Sequence, residues 1–300
     1  MSEDLGPLTL SERPPLRRPV LLAAFLGWPD AGEVATGALR YLTAKLNGRR
    51  LGHIELDGFV DYTDVRPVTL IEKGVIQLQR YPAADIYYWQ DPVGESDLLM
   101  LLSAEPQLSW QRFKKVVLSL MDQFGAELLI SLGGMYDAVP HTAQPRVSGL
   151  ATSDALRLRL AELDVNLTDY HGPSSIHTAL AYACREAGKH SLSLWGHTPV
   201  YVRTVANPKT CHALLSRLCT LLVLPLHLDD LRVAGEYLDQ KLNRLLDQNE
   251  GLRMYISRLE EQLGGAVEPA APGGEAADTE RIIRDVEEFL RGEQHRGDEG

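Results

Sequence analysis

Two glycine turns hold the residues of this sequence whose types and spacing could do chemistry. The first, Gly27-Trp28-Pro29-Asp30-Ala31-Gly32, ends the apolar run Val20 to Leu26 and precedes a small-residue segment. A strand that passes through a glycine turn into a helix is where α/β proteins hold phosphates, because free N–H groups and the helix dipole both favour anions. The spacing here matches neither G-x-G-x-x-G nor G-x-x-x-x-G-K-[ST], and Asp30 puts a negative charge where a phosphate would sit. The expectation is that Asp30 caps the next helix by accepting N–H bonds from Gly32 or Glu33, with Pro29 stiffening the turn. The competing reading makes Gly27, Trp28, Asp30 and Gly32 contacts for a polar ligand or a partner.

The second turn, Ser131 to Thr142, ends another apolar run. Parallel strands all finish at one edge, so Gly133 and Gly134 should lie beside Gly27 to Asp30 in the crevice such folds use for ligands. Asp137, His141 and Thr142 could do acid–base work there, or serve the turn alone. In Ser193 to Val202, Trp195 and Tyr201 sit near a strand end, as core residues or as aromatic anchors for a partner. His171, His177 and His197 lack any H-E-x-x-H spacing, so no metal is expected. No G-x-S-x-G elbow occurs, and Ser174-Ser175 read as a helix cap. No catalytic set and no cofactor follow from these residues.

The elements that must position them repeat one unit. Val20 to Leu26 is continuously apolar, as in a strand covered on both faces. Val34, Ala38, Leu42 and Leu46 then make a helical stripe. Asp97 to Pro106, a helix over Trp110 to Phe124, Ala126 to Gly134 and a helix near Ser153 to Leu163 repeat the alternation. A short strand at Val165 to Tyr170, a helix from Pro173 to Gly188 and an apolar strand at His190 to Pro199 continue it. Alternation of this kind predicts a mainly parallel α/β sheet with helices on both faces. Residues flanking Lys73-Gly74 alternate in polarity, which predicts a hairpin extending one sheet edge.

Beyond residue 228 the pattern changes. Leu231, Leu238, Leu245, Leu252 and Leu259 recur every seven residues, a seam that wants a partner helix and makes these five the candidates for self-association. A break near Gly251 would instead fold the segment into a helical hairpin. Four regions result: an unstructured 1–18, an α/β core over 19–228, a helical 229–263, and an acidic linker, short helix (Thr279 to Arg291) and tail over 264–300.

Composition sets the class. The 300 residues are 44% hydrophobic and 24% charged, enough for a sizeable core without metals or disulfides. Cys184, Cys211 and Cys219 lie in apolar text without C-x-x-C spacing, which fits a reducing compartment. The first residues are acids and prolines, with no long apolar run, so no signal peptide is expected and the cytoplasm is the default. Net charge is −11, six of it from residues 264–300, and no basic stripe occurs; nucleic acid and anionic membranes are poor partners.

Taken together, several segments resemble the proteasome assembly chaperone family, the one named for the second eukaryotic member, in its actinobacterial branch. The matching residues are Gly27-Trp28-Pro29-Asp30-Ala31-Gly32, Asp64 with Arg66-Pro67, Ser131-Leu132-Gly133-Gly134, Pro140-His141-Thr142, Tyr170 with Gly172-Pro173, and Ser193-Leu194-Trp195 with Pro199 and Tyr201. The resemblance implies a three-layer α/β/α core like that of nucleoside phosphorylases, a helical C-terminal region and a homo-oligomer. It implies a non-catalytic scaffold or assembly chaperone with a protein partner. The alternative is a nucleoside-like small molecule, bound or transformed at the sheet's carboxyl edge. Family members that dock on proteasome rings end in a hydrophobic-Tyr-X tail, whereas this sequence ends Arg296-Gly297-Asp298-Glu299-Gly300, which argues against that docking mode.

Overall fold

Seven apolar residues in a row, Val20–Leu26, form a strand whose two faces are both covered, and the molecule is layered around it. The computed structural model describes residues 6–94, 96–203, 207–263 and 276–298. In chain order the elements are β1 (Leu8–Leu10), β2 (Val20–Leu26), α1 (Val34–Lys45), β3 (Arg49–Glu55), β4 (Val68–Glu72), β5 (Val75–Arg80), β6 (Ala83–Trp89) and β7 (Leu98–Ala104). Then come α2 (Trp110–Phe124), β8 (Leu128–Asp137), β9 (Val147–Ala151), α3 (Asp154–Glu162), β10 (Asn166–Leu167), α4 (Ile176–Glu186), β11 (His190–Pro199) and α5 (Pro208–Leu222). Helices α6 (Asp229–Gln248), α7 (Glu250–Leu263) and α8 (Ala276–Asp298) close the chain. None of the helices, over the described residues, is long and apolar enough to cross a membrane.

Nine strands form one sheet in the order β1-β3-β6-β7-β2-β8-β11-β9-β10. Its centre, β7-β2-β8-β11, is parallel, as the unbroken apolar runs predict. On one face Leu22, Ala24, Ile130, Leu132 and Leu194 pack against Val34, Leu39 and Leu42 of α1 and Leu214 and Leu218 of α5. On the other, Leu21, Phe25, Leu99 and Leu129 meet Phe113, Val117 and Leu120 of α2 and Ile176 and Leu180 of α4. Period-two strands and period-3.6 helices have thus put their apolar sides together in three layers.

Four expectations change. The first 18 residues are not without structure: Leu8–Leu10 pairs antiparallel with β3, buries Leu8 and supplies an edge strand. The Lys73-Gly74 hairpin forms, but β4 and β5 make a two-stranded sheet of their own. The antiparallel extension comes instead from β6, β3 and β1, because β6 alternates buried and half-buried residues and fits against β7. Strand β9, which no periodicity announced, inserts antiparallel beside β11.

The fourth change concerns the leucine seam. The helix breaks at Asn249, two residues before Gly251, and the Asn249 amide oxygen accepts the Leu252 N–H at 3.0 Å to start α7. Helix α8 runs from Ala276 to Asp298, longer than the short helix expected. Leu238, Leu245, Leu252 and Leu259 are buried in one cluster with Ile256 and with Ile282, Ile283, Val286 and Leu290 of α8. Leu231 packs, half-buried, on the α1–α5 side of the sheet. Four leucines of the seam thus pack inside the chain, where an acidic helix with an apolar stripe supplies a partner, while Leu231 keeps part of its surface exposed. The linker expected over 264–278 falls largely outside the described residues.

Candidate functional site

The two glycine turns do meet. Asp30 and Gly134 form an isolated parallel bridge, and the Gly134 N–H donates to the Pro29 carbonyl at 2.7 Å. The backbones approach so closely that a Cβ on Gly134 would lie 2.9 Å from the Ala31 carbonyl oxygen. Asp30 is a cap, but not for the expected donors. A short 3-10 turn, Ala31–Glu33, comes first, so the carboxylate reaches past it to α1. There Oδ1 accepts the Ala35 and Thr36 N–H groups at 2.8 and 3.1 Å, and Oδ2 accepts the Thr36 hydroxyl. Burial raises the Asp30 pKa and these bonds oppose the shift. The Gly27 carbonyl accepts the Asp30 N–H, and the Gly32 N–H donates to the Tyr136 hydroxyl at 3.2 Å. The Asp30, Gly32 and Gly134 N–H groups, which an anion here would need, are thus engaged within the chain. Trp28 alone of these candidates projects, with two thirds of its surface exposed (66%).

His141 and Thr142 leave that rim and join the core to the C-terminal helices. The Tyr201 hydroxyl accepts the His141 N–H at 2.6 Å and lies 2.8 Å from its Nδ1, while Nε2 stands 3.2 Å from Oδ1 of Asn243. Nε2–H therefore donates to Asn243 and Nδ1 accepts from Tyr201. Burial lowers the His141 pKa and keeps it neutral. Lys209 pairs with Asp239 at 2.7 Å beside it, and the Thr142 hydroxyl donates to Glu260. Tyr201 is fully buried, so it is a core residue and not an exposed anchor. The cavity at this junction, lined by Pro140, His141, His197, Asn207 and Lys209, measures about 20 Å³, room for about one water.

Trp195 is half-buried and lies across Gly133, its register partner. Its indole N–H donates to Ser193 at 3.2 Å, and its ring sits 5.0 Å from that of His177, which also faces Phe25 at 5.3 Å. His177 is fully enclosed with neither ring nitrogen hydrogen-bonded. Burial pushes its pKa down to about 3. The Ser174-Ser175 cap is corrected: at the start of α4 the Ile176 N–H is taken by the Glu105 carboxylate at 3.0 Å.

One constellation escaped sequence reasoning. Asp137 Oδ2 lies 2.7 Å from Nδ1 of His197, and His197 Nε2 lies 2.8 Å from the hydroxyl of Ser148. His197 is buried; Asp137 and Ser148 are half-buried. The bond from His197 holds the Asp137 carboxyl below its ordinary pKa, so the carboxylate accepts and Nδ1 carries the proton. Arg146 stands 3.7 Å from the same carboxylate oxygen. Only the register of β8, β11 and β9 unites these residues, and no local motif signals it.

Residues 24–246 match the PAC2 family. The chain belongs to the PAC2 family. The proteasome-assembly chaperone homologue of Mycobacterium tuberculosis is 30% identical, with a TM-score of 0.73, 79% of this chain and 99% of that one being covered. The PAC2 family protein of Streptomyces avermitilis is 29% identical over the same shares, with a TM-score of 0.71. An archaeal proteasome activator, PbaB of Pyrococcus furiosus, shares the fold: TM-score 0.64 at 19% identity, covering 79% of this chain and 97% of its own. No curated protein matches the chain. The solved structures place this PAC2 chain with actinobacterial members, and they share its three-layer core.

Proposed function

We propose that this PAC2 protein is a self-associating, assembly-chaperone-like scaffold of the cytoplasm, a role that needs no reaction at its glycine-turn rim. The observation that carries this reading is the β4–β5 hairpin. Val68, Leu70, Ile71, Val75, Ile76 and Leu78 are each between 47% and 70% exposed on it. A two-stranded hairpin is marginal alone in water, so this one needs cover. Covering six such side chains contributes on the order of 6 kcal/mol per copy before the cost of association. A second copy of the chain is the partner always present at the needed concentration, and closed symmetric contacts between like patches are the commonest assembly. Support for a chaperone role comes from the Mycobacterium relative, which is described as a proteasome-assembly chaperone homologue.

Light scattering on the full chain at micromolar concentration tests it. More than one chain per particle is expected, and Leu70→Ser with Leu78→Ser should shift the mass towards a single chain. A monomeric wild type would overturn self-association. The nucleoside reading draws only on the rim at the carboxyl edge of the sheet, where the Asp30 carboxylate is already committed to the first turn of α1. Thermal-shift screening with nucleosides is expected to be flat.

A further inference from the structure

We propose that Ser148 is an activated nucleophile for acyl transfer from uncharged carboxylic esters, with His197 as its general base and Asp137 as the residue that positions the imidazole. This activity would be additional to the scaffold role and independent of it. Three atoms fall in the order that such chemistry requires: carboxylate to Nδ1 at 2.7 Å, Nε2 to hydroxyl at 2.8 Å. With the proton fixed on Nδ1 by Asp137, Nε2 is the free lone pair that takes the serine proton.

The arrangement is not required to hold the strand. Backbone pairing already ties β9 to β11 on one side and to β10 on the other. Ser148 is also only half-buried. In register it stands opposite Trp195, and His197 opposite Met135, which is 39% exposed. An indole opposite the hydroxyl, with a thioether one strand further on, favours an apolar acyl group over a charged one. Arg146, 3.7 Å from Asp137, adds a positive charge that helps keep that carboxylate ionised.

In the reaction Ser148 Oγ bonds to the ester carbonyl carbon while its proton passes to His197 Nε2. The carbon–oxygen bond to the alcohol breaks, and that alcohol leaves with the proton from His197. Water, deprotonated by His197, then cleaves the acyl-serine to the carboxylic acid and restores the hydroxyl.

The test is an alkyl fluorophosphonate on the full-length protein, followed by peptide mass mapping. Ser148 Oγ would bond to phosphorus, fluoride would leave, and the proton would end on His197. The expected result is one adduct on Ser148, lost in Ser148→Ala and formed about 100-fold more slowly in Asp137→Asn, which keeps the shape but reverses the tautomer. Hydrolysis of p-nitrophenyl butyrate should fall with labelling. Absence of an adduct on wild-type Ser148, or an ester rate unchanged in folded Ser148→Ala, overturns the proposal. The wild-type label is decisive by itself, so the unfolding of a variant does not change the outcome.

Discussion

Trp195 lies over Gly133 so closely that a methyl group at position 133 would come within 2.5 Å of the indole. The two are register partners on β11 and β8, so the absent side chain of one makes the slot for the other. Gly133→Ala is expected to cost about 1–3 kcal/mol by overpacking, read by urea denaturation, and to change Trp195 fluorescence. A neutral effect on both would show that the indole has another resting place.

His177 should set the acid limb of stability. Its folded pKa, near 3, lies below the value of about 6.5 for an unfolded histidine, so the unfolded chain takes up the proton first. Stability from this group is full above about pH 6.5 and declines as pH falls towards 3. The loss between pH 7 and pH 5 is about 2 kcal/mol. His141, also shifted down, adds in the same direction. His177→Phe is expected to flatten part of this slope and to raise stability at pH 7 by about 1 kcal/mol, since it removes unpaired buried nitrogens. Denaturation midpoints at pH 5 and 7 check both.

Asp30→Ala removes the acceptor for two N–H groups and one hydroxyl at the start of α1. A loss of about 1–2 kcal/mol is expected, with the particle mass by light scattering unchanged. A change in association at equal foldedness would assign Asp30 to an interface.

Removing residues 264–300 strips α8 from Leu238, Leu245, Leu252 and Leu259, whose cover includes Ile282, Ile283, Val286 and Leu290. The truncated chain is expected to precipitate or bind a hydrophobic dye. If it stays soluble with an unchanged denaturation midpoint, α8 contributes nothing to the core.

The hairpin substitutions Leu70→Ser and Leu78→Ser should leave the stability of the core within about 0.5 kcal/mol, because both side chains are about half exposed and β4 and β5 form their own sheet. Calorimetry on the dissociated variant measures this. A larger loss would mean that the hairpin braces the core.

Much of this fold could be read from residue order. The unbroken run Val20–Leu26 and its counterparts at β7, β8 and β11 specify strands covered on both faces. Such strands lie parallel, so Gly27–Asp30 and Gly133–Gly134 had to meet at one rim, and the Asp30–Gly134 bridge is the outcome. The cap at Asp30 was readable in kind, but the intervening 3-10 turn moved its donors from Gly32 or Glu33 to Ala35 and Thr36.

By itself, then, the sequence determined the layers and the rim, because period and polarity act locally and decide which side of each element is buried. Tertiary structure alone decided the partners. The leucine seam found an acidic helix of its own chain, and Ser148, His197 and Asp137 came together across separations of 49 and 60 residues. Strand order and pleat register bring such groups within hydrogen-bond distance, and neither leaves a periodic trace in the chain.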